Sequence, residues 1–150
     1  MRAVVQRVLN ANVSIGGKEK SSIKHGLLLL LGIEKEDATA DIKWLAKKIA
    51  QLRIFSDNEG LMNRSLVDVQ GEAMVVSQFT LHAKTKKGNR PSYINAAKPV
   101  QAITLYDEFV KVLEQEIGKT VQTGEFGADM QVSLCNDGPV TIIIDTKNKA

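Results

Sequence analysis

The hydrophobic pattern of the first part of the chain predicts strands. Residues 3–15 alternate between apolar and polar positions, which is typical of a strand with one face against a core. Gly16-Gly17 predicts a hairpin turn, and residues 18–24 are the expected return strand. Residues 26–33 form a continuous apolar run, so we expect a strand there that is covered on both faces.

Two later segments change to the helical period. In the first, apolar positions recur at intervals of three and four, and we expect Asp37 or Thr39 to be its N-cap; these positions are Ile42, Leu45, Ala46 and Ile49. The second helix is expected to follow Pro99 and to stop at Gly118. Its apolar face is formed by Ala102, Leu105, Tyr106, Phe109, Leu113 and Ile117.

The rest of the chain predicts more strands, at residues 73–81, 120–126, 129–135 and 140–145, with an exposed loop over 82–98. "NDGPVT", residues 136–141, would then be a turn between the last two strands. Two helices cannot cover both faces of so many strands, so either the sheet curls or another subunit covers it. We expect an α/β, β-rich single domain over residues 1–150, with a curled or barrel-like mixed sheet in β/β/α layers and two main helices.

Composition narrows the setting without naming a partner. A chain of 150 residues with 43% hydrophobic and 25% charged residues is typical of one soluble domain. The N-terminal run carries polar residues throughout, and "GLLLLLGI" is too short to span a bilayer, so no membrane partner is expected. A single cysteine fits a reducing, cytoplasmic location. The net charge of +3 is compatible with a nucleic-acid partner but does not require one.

Searches for common catalytic motifs find none: HExxH, CxxC, a P-loop and GxGxxG are all missing. Two histidines are too few for a three-histidine zinc site, so we expect neither a metal nor a cofactor. His25 is interpreted as an exposed turn residue and His82 as structural. Cys135 lies in a predicted strand, where a buried, inert thiol is expected.

One polar stretch stands at the end of an apolar strand, "SQFTL" at residues 77–81. It offers hydrogen-bonding groups in Ser77, Gln78 and Thr80, and in Phe79 an aromatic face on which a base can stack. By pattern alone, a strand whose polar side chains alternate outward is the favoured interpretation. A basic segment without acids follows directly, containing Lys84, Lys86, Lys87 and Arg90; it is either solvated surface or a phosphate-binding surface.

Together these segments resemble a known family, the D-aminoacyl-tRNA deacylases. The similarity is carried by "MRAVVQRV", "SQFTL", "GNRPSY" and "TGEFGADMQVSLCNDGPVT", in the family's order and along nearly the whole chain. Each motif alone is weak, but "SQFTL" and "NDGPVT" at this separation are specific together.

The resemblance implies hydrolysis of the ester between a D-amino acid, or glycine, and the terminal adenosine of tRNA. It implies a homodimer in which a cis Gly138-Pro139 peptide reaches the other subunit's active site and screens the substrate's handedness. It further implies that Ser77, Gln78, Phe79 and Thr80 line the catalytic pocket, and that Lys84, Lys86, Lys87 and Arg90 contact the tRNA. No base partner for Thr80 is visible, so a nucleophilic and a water-orienting role stay open for its hydroxyl.

Two other functions remain compatible with the pattern. A non-catalytic tRNA- or RNA-binding module would use Phe79 for stacking and the basic segment for phosphates, but would leave the Gly-Pro motif without a role. A small trimeric protein that binds metabolites at its subunit boundaries is the second alternative. Release of D- but not L-amino acid from tRNA distinguishes the enzyme from both.

Overall fold

A computed structural model describes all residues, 1–150. Eight strands and two α-helices follow one another along the chain as β1 (Arg2–Ile15), β2 (Lys18–Ile23), β3 (Gly26–Gly32), α1 (Thr39–Gln51), β4 (Phe55–Ser56), β5 (Met62–Arg64), β6 (Glu72–Ser77), α2 (Pro99–Ile117), β7 (Gln122–Thr123) and β8 (Gln131–Asp145). Neither helix combines the length and apolar character needed to cross a bilayer.

The main sheet is mixed and curls toward closure. Its order is β2-β1-β3-β6-β7, with β8 paired to β1; β3, β6 and β7 run parallel, and the other pairs are antiparallel. The Ser21 hydroxyl donates to the Thr123 carbonyl at 2.6 Å, which links the first and last strands of that order. The prediction of a mixed α/β fold with a barrel-like sheet and two main helices is confirmed.

Strand β3 is buried on both faces, as its continuous apolar sequence predicts. Because side chains alternate along a strand, Leu27, Leu29 and Leu31 pack with both helices on one side. Leu28 packs on the other side into a smaller core inside the curled sheet, together with Met74 and Val76 of β6. The sheet thus supplies its own cover on the face that the helices leave free.

Helix α2 has the predicted limits, and helix α1 differs from the prediction in its N-cap. Pro99 opens α2, and Gly118 ends it with a left-handed φ of 69°, as predicted. At α1 the predicted caps are wrong: Ala38 is the N-cap, and its N–H donates to the Asp41 carboxylate at 3.0 Å. Burial alone would raise the pKa of Asp41, but hydrogen bonds from Lys147 and this N–H lower the pKa to about 2.

Asp37 is buried elsewhere, which explains why it cannot cap α1. Its carboxylate accepts hydrogen bonds from the Met1 ammonium group and from the Glu34 N–H. Burial is the largest influence on this carboxyl and raises its pKa. The residue therefore ties the start of β1 to the loop before α1, a contact that spans 36 positions.

Three strand predictions are corrected. The strand expected over 73–81 ends at Ser77, because the chain then turns into a short 3₁₀ helix, Phe79–His82. The strand expected over 120–126 is reduced to Gln122–Thr123. The strands expected at 129–135 and 140–145 are one strand, β8, since both halves pair with β1 in the same antiparallel direction.

"NDGPVT" is therefore a bulge within a strand, and the turn prediction is wrong. Asn136 pairs with Val8 and Thr141 pairs with Gln6, so that four residues of β8 lie opposite Arg7 alone. The Asn136 side chain closes the bulge by donating to the Arg7 carbonyl at 2.9 Å and to the Val140 carbonyl at 3.0 Å. Gly138 and Pro139, in the middle of the bulge, are exposed.

The expectation of a buried thiol at Cys135 is also wrong, because this side chain is exposed. The register shifts again between Val8 and Asn10, which leaves Leu9 without a partner on β8 and 51% exposed. Irregular pairing breaks the regular alternation of faces here, so Leu134 and Cys135 are both exposed.

Candidate active site

A cavity of about 630 Å³ opens where the parallel strands β3 and β6 end. Leu31 and Ile33 line it from β3 and its extension, and Val76 lines it from β6. The start of α2 and the 126–130 segment, between β7 and β8, form the opposite walls. Carboxyl ends of parallel strands are common ligand positions, since the chain there leaves the sheet and is free to present polar groups.

The "SQFTL" segment lies at this edge and supplies the polar wall. The last sheet contact is the Gln78 N–H, which donates to the Leu31 carbonyl at 2.8 Å, after which the chain turns into the 3₁₀ helix. Ser77, Gln78 and Phe79 all line the cavity. Phe79 is 56% exposed and meets Tyr93 edge-on, with ring centroids 5.0 Å apart. The two rings form an aromatic rim that a planar ligand can contact.

Thr80 does not line the cavity. Its hydroxyl accepts a hydrogen bond from the side-chain amide of Gln78. The hydroxyl is thus engaged in orienting a residue that does line the cavity, and the predicted catalytic place of Thr80 stays a prediction. The N–H groups of Phe79 and Thr80 open the 3₁₀ helix, where the first amides of a helix have no acceptor within it.

A buried tyrosine holds β6 in place beneath this segment. The Tyr106 hydroxyl on α2 donates to the Val75 carbonyl at 2.7 Å, two residues before Ser77. Burial raises the pKa of Tyr106, so the phenol remains a neutral donor at ordinary pH. The same tyrosine packs edge-on against Phe126, which lines the cavity from the opposite wall. Helix α2 therefore sets the distance between the two walls.

Sequence reasoning missed several lining residues. Tyr93 and the segment from Phe126 to Met130 lie within the quoted family motifs but were not assigned to the pocket, and Lys98 lies in none of these motifs. Part of the 126–130 segment falls in residues predicted as strand. Gly127, with a positive φ of 79°, is the local sign that the chain turns here rather than continuing a strand. These residues reach the cavity only through the long-range packing of α2 and β8.

The basic segment lies beside the cavity but does not line it. Lys84 and Ser92 exchange backbone hydrogen bonds of 2.8 and 3.0 Å, and these close residues 84–92 into an exposed loop that ends next to Tyr93. The basic side chains Lys84, Lys86, Lys87 and Arg90 are all exposed, and none forms an ion pair within the chain. They remain available to an anionic partner.

The two histidines lie outside the cavity. His25 is exposed and packs edge-on against Phe55 at 5.2 Å. His82 is the last residue of the 3₁₀ helix and is buried, and a Cβ added at Gly32 would stand 3.0 Å from its ring. No cluster of three or more His, Cys, Asp or Glu side chains stands in an arrangement that holds a metal.

Gly138 and Pro139 are exposed on β8, and neither lines the cavity of its own chain. The peptide bond between them is cis, and Gly138 has a φ of 124°. Arg7 fastens the bulge from β1: its Nε donates to the Asp137 carbonyl at 3.2 Å, and its Nη1 donates to the Ile54 carbonyl at 2.6 Å. Arg7 Nε also stands 3.2 Å from the Asp137 carboxylate.

The role of Arg7 in holding the bulge was also missed by sequence reasoning. It is only 9% exposed although it sits among the alternating residues of β1, where an outward polar side chain was expected. A buried arginine that bonds two carbonyls and a carboxylate is a strong local constraint, since few other side chains reach several acceptors in fixed directions.

Comparison with solved structures places this fold among known proteins. A structure described as a c-Myc DNA unwinding element binding protein is 41% identical, with a TM-score of 0.91 over 97% of this chain and 98% of that one. A probable eukaryotic D-amino acid tRNA deacylase is 16% identical, with a TM-score of 0.79 over 95% of this chain and 97% of that one, and shows the shared fold.

Sequence relatives agree along the whole chain. A D-aminoacyl-tRNA deacylase of Bacteroides fragilis (strain YCH46) is 60% identical over 149 residues, 99% of each chain. Another of Flavobacterium psychrophilum (strain JIP02/86) is 62% identical over the same length and share. The model of the D-Tyr-tRNA(Tyr) deacylase family matches residues 4–145, which include most of β1, the cavity and the bulge. By this match and these identities, the chain belongs to the D-Tyr-tRNA(Tyr) deacylase family.

Proposed function

We propose that this protein hydrolyses the ester between a D-amino acid and the 3′-terminal adenosine of tRNA. It thereby removes wrongly attached amino acids from tRNA before they are used in translation. The observation that carries the proposal is the cavity lined by Ser77, Gln78 and Phe79, in a chain that belongs to this family. Its volume of about 630 Å³ lies within the range of pockets that bind drug-sized ligands, and an aminoacyl-adenosine is of that size.

The cavity offers different chemistry to the two halves of such a ligand. The aromatic rim of Phe79 and Tyr93 suits the adenine, because an exposed ring stacks on any base. Ser77 and Gln78 supply hydrogen-bonding groups for the ribose and the ester, at the rigid end of β6. This division directs the ester carbonyl toward the start of the 3₁₀ helix.

Hydrolysis requires a water to attack the ester carbonyl carbon while the ribose oxygen leaves. The N–H groups of Phe79 and Thr80 are the donors that would stabilise the oxyanion formed in that step. An aminoacyl ester is already activated, and the neighbouring ribose hydroxyl of the tRNA is available to assist. The protein's main contribution is then to position ester and water, with little acid–base chemistry on its own side chains.

The bulge supplies the screen for handedness, at the active site of a second copy of the chain. Gly138 and Pro139 are exposed and lie outside their own chain's cavity, which is the arrangement that a screen acting between subunits requires. Strand β8, which carries them, and its neighbour β1 also expose apolar side chains, Ile143 at 69% and Leu9 at 51%, as expected of a face that a homodimer covers.

Backbone carbonyls at Gly138 and Pro139 would face the substrate α-carbon and accept from its ammonium group. They would leave no space for the side chain of an L-amino acid, so that rejection follows from a clash rather than from a fitted pocket. Glycine has no side chain to clash, and the same screen would let glycyl-tRNA through.

The basic loop would contact the acceptor stem. Lys84, Lys86, Lys87 and Arg90 are exposed beside the rim, and lysine contacts to phosphates do not depend on sequence. Such contacts suit an enzyme that serves many tRNAs. A substrate made by the translation machinery would place the protein in the cytoplasm.

Purified protein incubated with D-tyrosyl-tRNA, L-tyrosyl-tRNA and glycyl-tRNA tests this function. We expect release of D-tyrosine and glycine, with L-tyrosine released no faster than in buffer, because only the L side chain meets the screen. Release is measured as the loss of labelled amino acid from tRNA that is precipitated with acid. Equal release of both tyrosine enantiomers would contradict the screen, and release of neither would contradict the enzyme.

Replacing Thr80 with valine tests whether positioning dominates the mechanism. The change removes the acceptor of the Gln78 amide but keeps the shape of the side chain, so we expect kcat/KM to fall about tenfold, the effect of one lost hydrogen bond. Thr120→Val, at an exposed position away from the cavity, is the matched control. Complete loss of turnover with unchanged tRNA binding would contradict this mechanism and give the Thr80 hydroxyl a direct catalytic role.

A second candidate function is nucleic-acid binding without catalysis. It is favoured by the 41% identical structure that is described as a DNA unwinding element binding protein, together with the exposed basic loop. Competition between D-tyrosyl-tRNA and duplex or single-stranded DNA, in the same deacylation assay, separates the two. DNA that binds more tightly than tRNA, in a protein that releases no D-tyrosine, would favour this candidate.

A further inference from the structure

A second cavity of about 660 Å³ adjoins the proposed active site. It lies between the first turns of α2 and the 35–37 segment that precedes α1. Lys98 lines both cavities, so a bound ligand that extends from the first cavity past this residue enters the second one directly. Nothing in the proposed chemistry of ester hydrolysis uses this second space.

The charges of the second cavity favour an anion. Lys35 and Lys98 are exposed, and neither forms an ion pair within the chain. The one carboxylate in the lining, Asp37, is buried and already bonded to the Met1 ammonium group and to a backbone N–H. Two free positive charges thus face a space whose only negative charge is neutralised.

The walls of this cavity are tied together and do not need a ligand to form. The Gln101 side-chain amide donates to the Lys35 carbonyl at 2.8 Å, and the Lys35 N–H donates to the Asn95 carbonyl at 3.2 Å. Val100, at the start of α2, is 82% exposed, which leaves an apolar side chain in the lining beside the lysines. Positive charge next to exposed apolar surface suits a nucleotide, whose phosphate and base have these two characters.

We propose that the second cavity binds the cytidine that precedes the terminal adenosine of tRNA, an inference that rests on the deacylase function proposed above. Lys98 and Lys35 bind the phosphate that joins this cytidine to the adenosine, and Val100 contacts the cytosine base. Because all mature tRNAs share this 3′-terminal sequence, a site of this kind adds affinity for every tRNA without selecting among them.

The test compares D-tyrosyl esters of adenosine and of cytidylyl-adenosine as minimal substrates. For the wild type we expect the dinucleotide ester to have a kcat/KM roughly tenfold higher, mainly through KM, because the cytidine adds one phosphate contact and one apolar contact to its base. Lys35→Gln is expected to remove most of this gain and to leave the adenosine ester unchanged, since Lys35 lines only the second cavity.

Lys111→Gln is the matched control, because Lys111 is an exposed, unpaired lysine of α2 that lines neither cavity. Lys86→Gln with Lys87→Gln is expected to weaken full-length tRNA but neither short ester. As a measurement that needs no turnover of short esters, cytidylyl-adenosine is expected to inhibit D-tyrosyl-tRNA deacylation roughly tenfold better than adenosine. Lys35→Gln should abolish that difference.

Equal kcat/KM for the two esters, or equal inhibition by adenosine and cytidylyl-adenosine, overturns the inference while leaving the deacylase function intact. Equal effects of Lys35→Gln and Lys111→Gln also overturn it. Failure of the wild type to release D-tyrosine even from tRNA removes the function on which the inference rests, and the inference with it.

Discussion

Substituting Gly138 with alanine is expected to lower kcat/KM for D-tyrosyl-tRNA by about 100-fold, the cost of moving a positioning group by roughly 1 Å. The reason is local geometry. A Cβ built at Gly138 would stand 3.0 Å from Arg7 Nη2, 3.0 Å from Val140 Cγ2 and 3.2 Å from the Val140 nitrogen. The Val140 nitrogen belongs to the backbone and cannot move without moving the bulge, so the carbonyls that we propose to face the substrate would shift.

Gly138 also has a φ of 124°, which L-residues rarely adopt, so the substitution would cost of order 1–3 kcal/mol in unfolding free energy. Gly60→Ala controls for this effect, because Gly60 has a φ of 80° but no atom within 4 Å of an added Cβ. Both variants are compared by urea denaturation and by deacylation of D-tyrosyl-tRNA. The interpretation fails if Gly138→Ala keeps the activity of Gly60→Ala.

Replacing Arg7 with methionine is expected to reduce the preference for D- over L-tyrosyl-tRNA at least tenfold and to lower the unfolding free energy by about 2–4 kcal/mol. Methionine keeps the apolar stem but leaves the carbonyls of Asp137 and Ile54 without their charged donor. The bulge then loses its link to the buried Ile54 end of the connection between α1 and β4, and its position becomes less defined.

Arg53→Met is the matched control for this substitution. Arg53 also donates to a backbone carbonyl, that of Asn63 at 3.0 Å, but it is exposed and far in sequence from the bulge, so a change below about 0.5 kcal/mol is expected. Arg7→Lys keeps the charge and loses the forked geometry, and should lie between wild type and Arg7→Met in selectivity. Discrimination is measured as the ratio of the deacylation rates of D- and L-tyrosyl-tRNA. If Arg7→Met and Arg7→Lys both discriminate as well as the wild type and Arg53→Met, Arg7 does not position the screen.

Much of the fold follows from local pattern. The hairpin at Gly16-Gly17 and the limits of α2 between Pro99 and Gly118 depend on interactions between residues close in sequence. The doubly buried strand at 26–32 is marked by its continuous apolar run. The family motifs are also local strings, so that "SQFTL" was correctly placed at the end of a strand and beside a basic loop. Where neighbouring residues determine the conformation, the sequence is sufficient.

The errors share one cause, which is that pairing with a distant strand overrides local preference. Gly-Pro favours a turn, yet β1 pairs with both halves of 131–145 and turns the motif into a bulge. Arg7 and Asp137, whose contact fastens that bulge, are 130 positions apart. Asp37 likewise bonds the distant Met1 ammonium group instead of capping the adjacent helix.

Sequence alone thus determined both helices and the first three strands, which family the motifs resemble, and which short stretch carries the polar groups of the candidate site. The cavity, the second cavity beside it and the direction of the bulge were decided only by the tertiary structure. Each of these is built from segments far apart in the chain, and their meeting depends on how the curled sheet closes and how α2 packs on it. Local residue patterns carry no information on distances across such contacts.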